Sequence, residues 1–283
     1  MIKNHDNLPD IQCSTPGIQI PIKQVGVENI HVPFLLELKE GGFYHLQAKV
    51  SMRTDLTSSV KGISMSRLLL TLQPYLDLPL KHKLIYNILL DLKNNINSSK
   101  SYLKFEFDFP LKKKSPLSDH QFPIYYKCKF EGQLLDGFRF KFFQGVTIQY
   151  ASYCPCSAEL CRDLEEKSLK GFPHNQRSFA DILVECSPDT TVWLEDIILS
   201  VEDKLKTLPY PVIKRVDEQE IARIAANNTM FVEDAVRKIS DCLEHMDGIV
   251  DWIVKCTHQE SIHTSEAIAV NWRGLSLDGT RYL

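Results

Sequence analysis

The chain has 283 residues, 43% hydrophobic and 24% charged, an ordinary globular composition that excludes disordered, collagen-like and coiled-coil classes. Lysine and arginine total 33 against 36 acidic residues, a net charge of -3, so no whole-protein field draws in nucleic acid and no such partner is expected. The N-terminus, MIKNHDNLPDIQ, is polar, and no window reaches the roughly 18 apolar residues of a membrane span, so a cytoplasmic protein without a membrane partner is expected.

Residues 1–24, with Pro9, Pro16 and Pro21, read as an extended arm. Two alternating runs around Gly41-Gly42 predict a hairpin within 34–52. After Gly62 the segments MSRLLLTLQPYL and LKHKLIYNILLDLKNNI carry apolar residues at helical spacing, with Leu80, Leu84, Ile88 and Leu92 one turn apart. Two helices broken near Pro74 and Pro79 follow. Aromatic and β-branched text at 102–109, 122–134 and 138–153 predicts antiparallel strands, and the basic run Lys112, Lys113, Lys114 between them reads as a solvated turn.

The second half repeats that order: a strand to 153, a cysteine-rich loop, a strand at 179–187, helical text at 191–206 and 217–246, then strands IVDWIVKC and AIAVNW. The expected architecture is α+β, with helices covering one face of each antiparallel sheet. Its expected divisions are an arm at 1–24, a first unit at 25–137 and a second at 138–283.

Chemistry concentrates in YCPCSAELCRDLEEKSLKGFPHNQRS, residues 153–178. Thiolate and neutral imidazole are natural ligands of Zn²⁺ and its neighbours. Spacing alone leaves four readings open: an open catalytic site, a closed zinc site of Cys154, Cys156, Cys161 and His174, a Cys154–Cys156 redox couple, or unrelated thiols. Most other cysteines read as small core residues. Asp217 and Glu218 read as a helix start, and Glu233 as a partner for Arg237 one turn on. Gln259, Glu260, Ser261, Ile262 and His263 form a polar cluster between two strands, suited to proton transfer. Lys61, Ser64, Ser66 and Arg67 gather cations and hydroxyls at a helix start that can hold phosphate.

Read together, VGVENIHVP (25–33), VSMRTDL (50–56), KGISMSR (61–67), CPCS (154–157), HNQRS (174–178), KRVDEQ (214–219), FVEDAVR (231–237) and ESIH (260–263) resemble the type IB GTP cyclohydrolases, a tunnelling-fold family. Their order and approximate spacing span nearly the whole chain.

The resemblance implies tandem tunnelling-fold units, each an antiparallel sheet with two helices on one side, assembled as a homotetramer with active sites near subunit contacts. It implies hydrolysis of GTP to 7,8-dihydroneopterin triphosphate and formate, the entry to folate. By motif, Cys154, His174 and Glu218 look like ligands of one divalent metal per site, Zn²⁺, Mn²⁺ or Fe²⁺, with a position left open for water. His263 is the expected acid, with Glu260 orienting it or the substrate; Glu233, or else Glu260, is expected to anchor guanine. Lys61, Arg67, Arg177 and Arg215 are expected on the triphosphate.

Two departures from the family pattern stand out: about eight extra residues between CPCS and HNQRS, which carry Cys161, and Ser64 where many members have histidine. Oxidation of Cys154 and Cys156 to a disulfide would withdraw a ligand. The alternatives are an archaeal-type variant giving a cyclic-phosphate dihydroneopterin and a non-catalytic zinc-binding scaffold. A nitrile reductase of the same fold group ranks last, since that group's own motif is missing.

Overall fold

The alternating text of residues 22–56 folds as a long hairpin of β1 (Ile22–Glu37) and β2 (Phe43–Leu56), paired antiparallel with Val32 opposite Ala48. Its turn passes through Gly41 and Gly42 at φ of 90° and 85°, a left-handed region that glycine enters without a Cβ penalty. The computed structural model describes residues 11–274. Contacts divide the chain into two compact units, the first reaching to Phe107 and taking in Phe130–Phe142, the second comprising Asp108–Lys129 and the chain from Phe143 onward.

In the first unit, α1 (Met65–Leu72) and α2 (His82–Ile96) realise the predicted helices, α2 ending at Asn97 in the left-handed conformation. Between them the two-residue β3 (Pro79–Leu80) pairs parallel with β1. The hydrogen-bonded order is β3-β1-β2-β4, where β4 is Ser101–Lys114. Ile85, Ile88, Leu89 and Leu92 of α2 are fully buried, as their spacing requires. β5 (Gln121–Leu134) brings Gly132 so close to α2 that an added Cβ would lie 2.3 Å from Ile85 Cγ2, so no side chain fits there.

In the second unit β6 (Phe140–Tyr153), β7 (Asn175–Cys186), β8 (Ile249–Gln259) and β9 (Glu266–Trp272) follow in the order β6-β7-β8-β9, with β7/β8 and β8/β9 antiparallel. Helices α4 (Leu194–Leu205) and α6 (Val232–Glu244) pack together, and α6 lies on β8 and β9 through Val232, Ala235, Val236, Ile239 and Leu243. Cys128, Cys186, Cys242 and Cys256 are buried, and burial pushes the Cys186 and Cys256 thiols up to about 12. Among the described residues no helix is long and apolar enough to cross a membrane.

Four local expectations change. The first ten residues of the expected arm lie outside the described residues, and β1 starts at Ile22, inside it. The stretch read as a loop after Tyr153 is α3 (Pro155–Glu166), which buries no residue. The helical text at 217–246 is two helices, α5 (Arg215–Ala226) and α6, parted at Asn227-Asn228-Thr229, residues whose side chains compete for backbone bonds.

The basic run is not a solvated turn. It ends β4, and strand alternation turns Lys113 inward, where its ammonium pairs with Glu202 of α4; their side chains are 11% and 6% exposed. Tyr126 donates to the other Glu202 oxygen at 2.6 Å. Lys113→Ala strands a buried carboxylate and is expected to cost about 3–5 kcal/mol in urea unfolding. The double replacement Lys113→Met with Glu202→Leu, which leaves no buried charge, is expected to recover most of that loss.

Candidate active site

Side chains two apart on a strand share a face, and three neighbouring strands end in polar pairs of this kind: Tyr150 and Ser152 on β6, Gln176 and Ser178 on β7, His258 and Glu260 at the end of β8. Register sets Ser178 opposite His258. Tyr150 Oη lies 2.9 Å from His258 Nε2, and His258 Nδ1 lies 3.1 Å from Ser152 Oγ. Ser152 Oγ also meets Ser178 Oγ at 2.8 Å and donates to Gln176 Oε1 at 3.0 Å. The Gln176 amide reaches Glu260 Oε2 at 2.9 Å and His174 Nδ1 at 3.3 Å. Motif reading had named only His174 and Glu260 from this chain of contacts. The signal for the others was a polar i, i+2 pair in otherwise apolar strand text.

His174 and Cys154 are joined through the backbone, since the Cys154 N–H donates to the His174 carbonyl at 3.2 Å. Cys154 caps α3, its Sγ accepting the Ser157 N–H at 3.5 Å, and Ser157 Oγ accepts the His174 N–H at 3.3 Å. The helix that follows the CPCS motif therefore fixes both donors at one place. The His174 and Glu260 side chains are 17% and 15% exposed, with Nδ1 and Oε2 3.8 Å apart. Cys156 is exposed, and Cys161 sits against Gly171, where an added Cβ would meet its Sγ at 3.0 Å.

Glu218 follows a buried anchor. Asp217 accepts from the Leu117 and Ser118 N–H groups at 2.8 Å each, from the Lys214 N–H at 2.7 Å and from the Ser118 hydroxyl. Burial alone would raise its carboxyl; these donors outweigh burial and hold it below the usual carboxylate range. Asp217 thus closes the capping box of α5, as its position predicted, and leaves Glu218 exposed on the first turn.

In donor chemistry thiolate, imidazole and carboxylate suit a divalent transition metal, and Cys154 and His174 stand together. Among the described residues no three His, Cys, Asp or Glu form a group that could hold a metal ion. This applies equally to the closed zinc site of Cys154, Cys156, Cys161 and His174.

Glu233 opens α6 with an exposed side chain, near enough to act on His258 electrostatically; the ion pair of that turn is Asp234 with Arg237 at 3.1 Å, not Glu233 with Arg237. His263 is exposed on the turn between β8 and β9, and Arg177 and Arg215 are exposed on β7 and α5. Lys61 and Arg67 belong to the first unit and are exposed around the start of α1.

Burial pushes His258 down to about 4, against the opposing pull of Glu260 and Glu233. Unfolded, it would protonate near 6.5. The unfolded state therefore binds the extra proton between those values, so the contribution of His258 is complete above about pH 6.5 and is lost as pH falls toward about 4. The melting temperature is expected to drop across this window, and the drop to be shallower in His258→Gln, followed by thermal unfolding at constant ionic strength.

The sequence profile of the type I GTP cyclohydrolase folE2 family matches residues 8–269. GTP cyclohydrolase FolE2 of Dinoroseobacter shibae is 32% identical over 276 residues, covering 95% of this chain and 75% of that protein. The protein of the same name from Geobacter metallireducens is 34% identical over 262 residues, covering 93% and 95%. The crystal structure of a hyper-thermostable AgUricase mutant superposes with a TM-score of 0.52 at 8% identity, over 92% of this chain and 95% of that one. At that identity the likeness is one of fold, and it agrees with the expected α+β tunnelling architecture. By a match that runs almost from end to end, the chain belongs to the type I GTP cyclohydrolase folE2 family.

Proposed function

We propose that the chain is a metal-dependent GTP cyclohydrolase I of type IB, converting GTP and water to 7,8-dihydroneopterin triphosphate and formate at the entry to folate and pterin biosynthesis. The observation that carries this is the family match over residues 8–269, supported by the pairing of Cys154 with His174. A cytoplasmic homotetramer belongs to the same proposal.

Cys154, His174 and Glu218 would hold a divalent ion, Zn²⁺, Mn²⁺ or Fe²⁺, which would supply an acidified water for hydrolysis at C8 of guanine. The two oxygens of Glu233 match the adjacent ring N–H and exocyclic amine of guanine and find no such pair on adenine. Glu260 is the second candidate for that role. Opening of the imidazole ring leaves a nitrogen that needs a proton, which His263 donates while Glu260 orients it. A second hydrolysis releases formate. Lys61, Arg67, Arg177 and Arg215 neutralise the triphosphate, whose oxygens are strong acceptors.

The test is metal-free protein incubated with GTP and, in parallel, Zn²⁺, Mn²⁺ or Fe²⁺, with Cys154→Ala as control. Neopterin fluorescence after oxidation and released formate are both expected to depend on metal and to fall to background in the variant. Folded protein that yields no formate with any of the metals would refute the proposal. A cyclic phosphate on the product would move it to the archaeal-type reaction.

A further inference from the structure

The polar side chains between Tyr150 and Glu260 admit one arrangement of protons. Gln176 Nε2 donates to a carboxylate oxygen of Glu260 at 2.9 Å and lies 3.3 Å from His174 Nδ1. Gln176 Oε1 takes the single Ser152 hydroxyl proton at 3.0 Å. Having donated there, Ser152 Oγ accepts from both other neighbours, the Ser178 hydroxyl at 2.8 Å and His258 Nδ1 at 3.1 Å. His258 therefore carries its proton on Nδ1 and accepts the Tyr150 hydroxyl on Nε2 at 2.9 Å. From Tyr150 to Glu260 no donor faces a donor, and no acceptor an acceptor.

Tyr150, Ser152, Ser178, His258 and Gln176 are all buried, at 6% exposure or less. Such a connected and fully satisfied network holds its members rigidly. Its outer end is the pair of residues to which the proposed reaction assigns work, while Gln176 itself has no step in that reaction. We propose that Gln176 is a positioning residue, whose amide holds the Glu260 carboxylate beside His174 and is itself aimed by Ser152 and, through it, by His258 and Tyr150. This rests on the cyclohydrolase reading for the reaction that it serves. An amide suits the position because it donates to a carboxylate from one atom and accepts a hydroxyl on the other without titrating. Asparagine is one methylene short of the span, leucine offers no donor, and glutamate would set two carboxylates 2.9 Å apart.

The test uses the full chain loaded with its best metal. Gln176→Leu and Gln176→Asn are expected to lower kcat by about 10–100-fold, with KM for GTP unchanged, the signature of a group that acts in the transition state. Ser152→Ala is expected to lower kcat less, and the Ser152→Ala, Gln176→Leu double variant to match Gln176→Leu alone within about twofold, because Ser152 acts through Gln176. In urea unfolding of the metal-free protein, Gln176→Asn and Glu260→Gln are expected to be non-additive. Wild-type kcat in folded Gln176→Asn, multiplying losses in the double variant, or additive unfolding would overturn the proposal. Failure of the unaltered enzyme to release formate would overturn the cyclohydrolase reading, and the unfolding cycle would still decide whether Gln176 and Glu260 are tied.

Discussion

A polar side chain on the buried face of a strand has to be answered by another from the strand beside it, because an unpaired buried donor or acceptor costs about 1–3 kcal/mol. The second unit meets this demand at three neighbouring strand ends, with Tyr150 and Ser152, Gln176 and Ser178, and His258 and Glu260 answering one another in turn. Of the residues assigned to the active site, Glu260 and His174 adjoin that arrangement. His174 and Cys154 are set by the backbone where β6 gives way to α3, and Glu260 is set by the side chains behind it.

Charge inside the second unit follows the same rule with higher stakes. Asp217 is wholly buried yet surrounded by donors, so it stays ionised and holds the start of α5 to residues 117 and 118. Glu202 is shared between Lys113 and Tyr126, which ties α4 to β4 and β5. Helices α4 and α5 are each placed by polar contacts as well as by apolar packing. Such contacts select one geometry among several that the hydrophobic effect, being non-directional, would accept.

How much of this was legible in the sequence depended on whether a residue's meaning was local. Helix α2 was, because Ile88 and Leu92 repeat with the helical period and bury as they must, with Ile85 and Leu89 beside them. Helix α3 was not: its apolar stripe is short, Ala158, Cys161 and Leu164, and none of its residues is fully buried. Lys113 misled because adjacent lysines suggest solvent, whereas strand alternation sends every second one inward. In the candidate site, Cys154, His174 and Glu260 were legible as residue types with evident chemistry. Gln176, Ser152 and His258 were not, since a glutamine inside HNQRS or a serine in YASY acquires a partner only once β6, β7 and β8 lie side by side. Family resemblance supplied candidates for the ligands and left the shell behind them unread.

Helix α3 has a further consequence. None of its twelve residues is fully buried, so the helix adds little apolar area to the core. The two ends of the segment are held at Cys154 through its cap and at His174 through Ser157, and its middle rests on Gly171 through Cys161 and Leu164. The distance between those anchors is therefore set independently of how much chain connects them. A lineage could lengthen or shorten this connection residue by residue at nearly constant stability, which makes it a place where related chains are free to differ in length while keeping the same two donors in register.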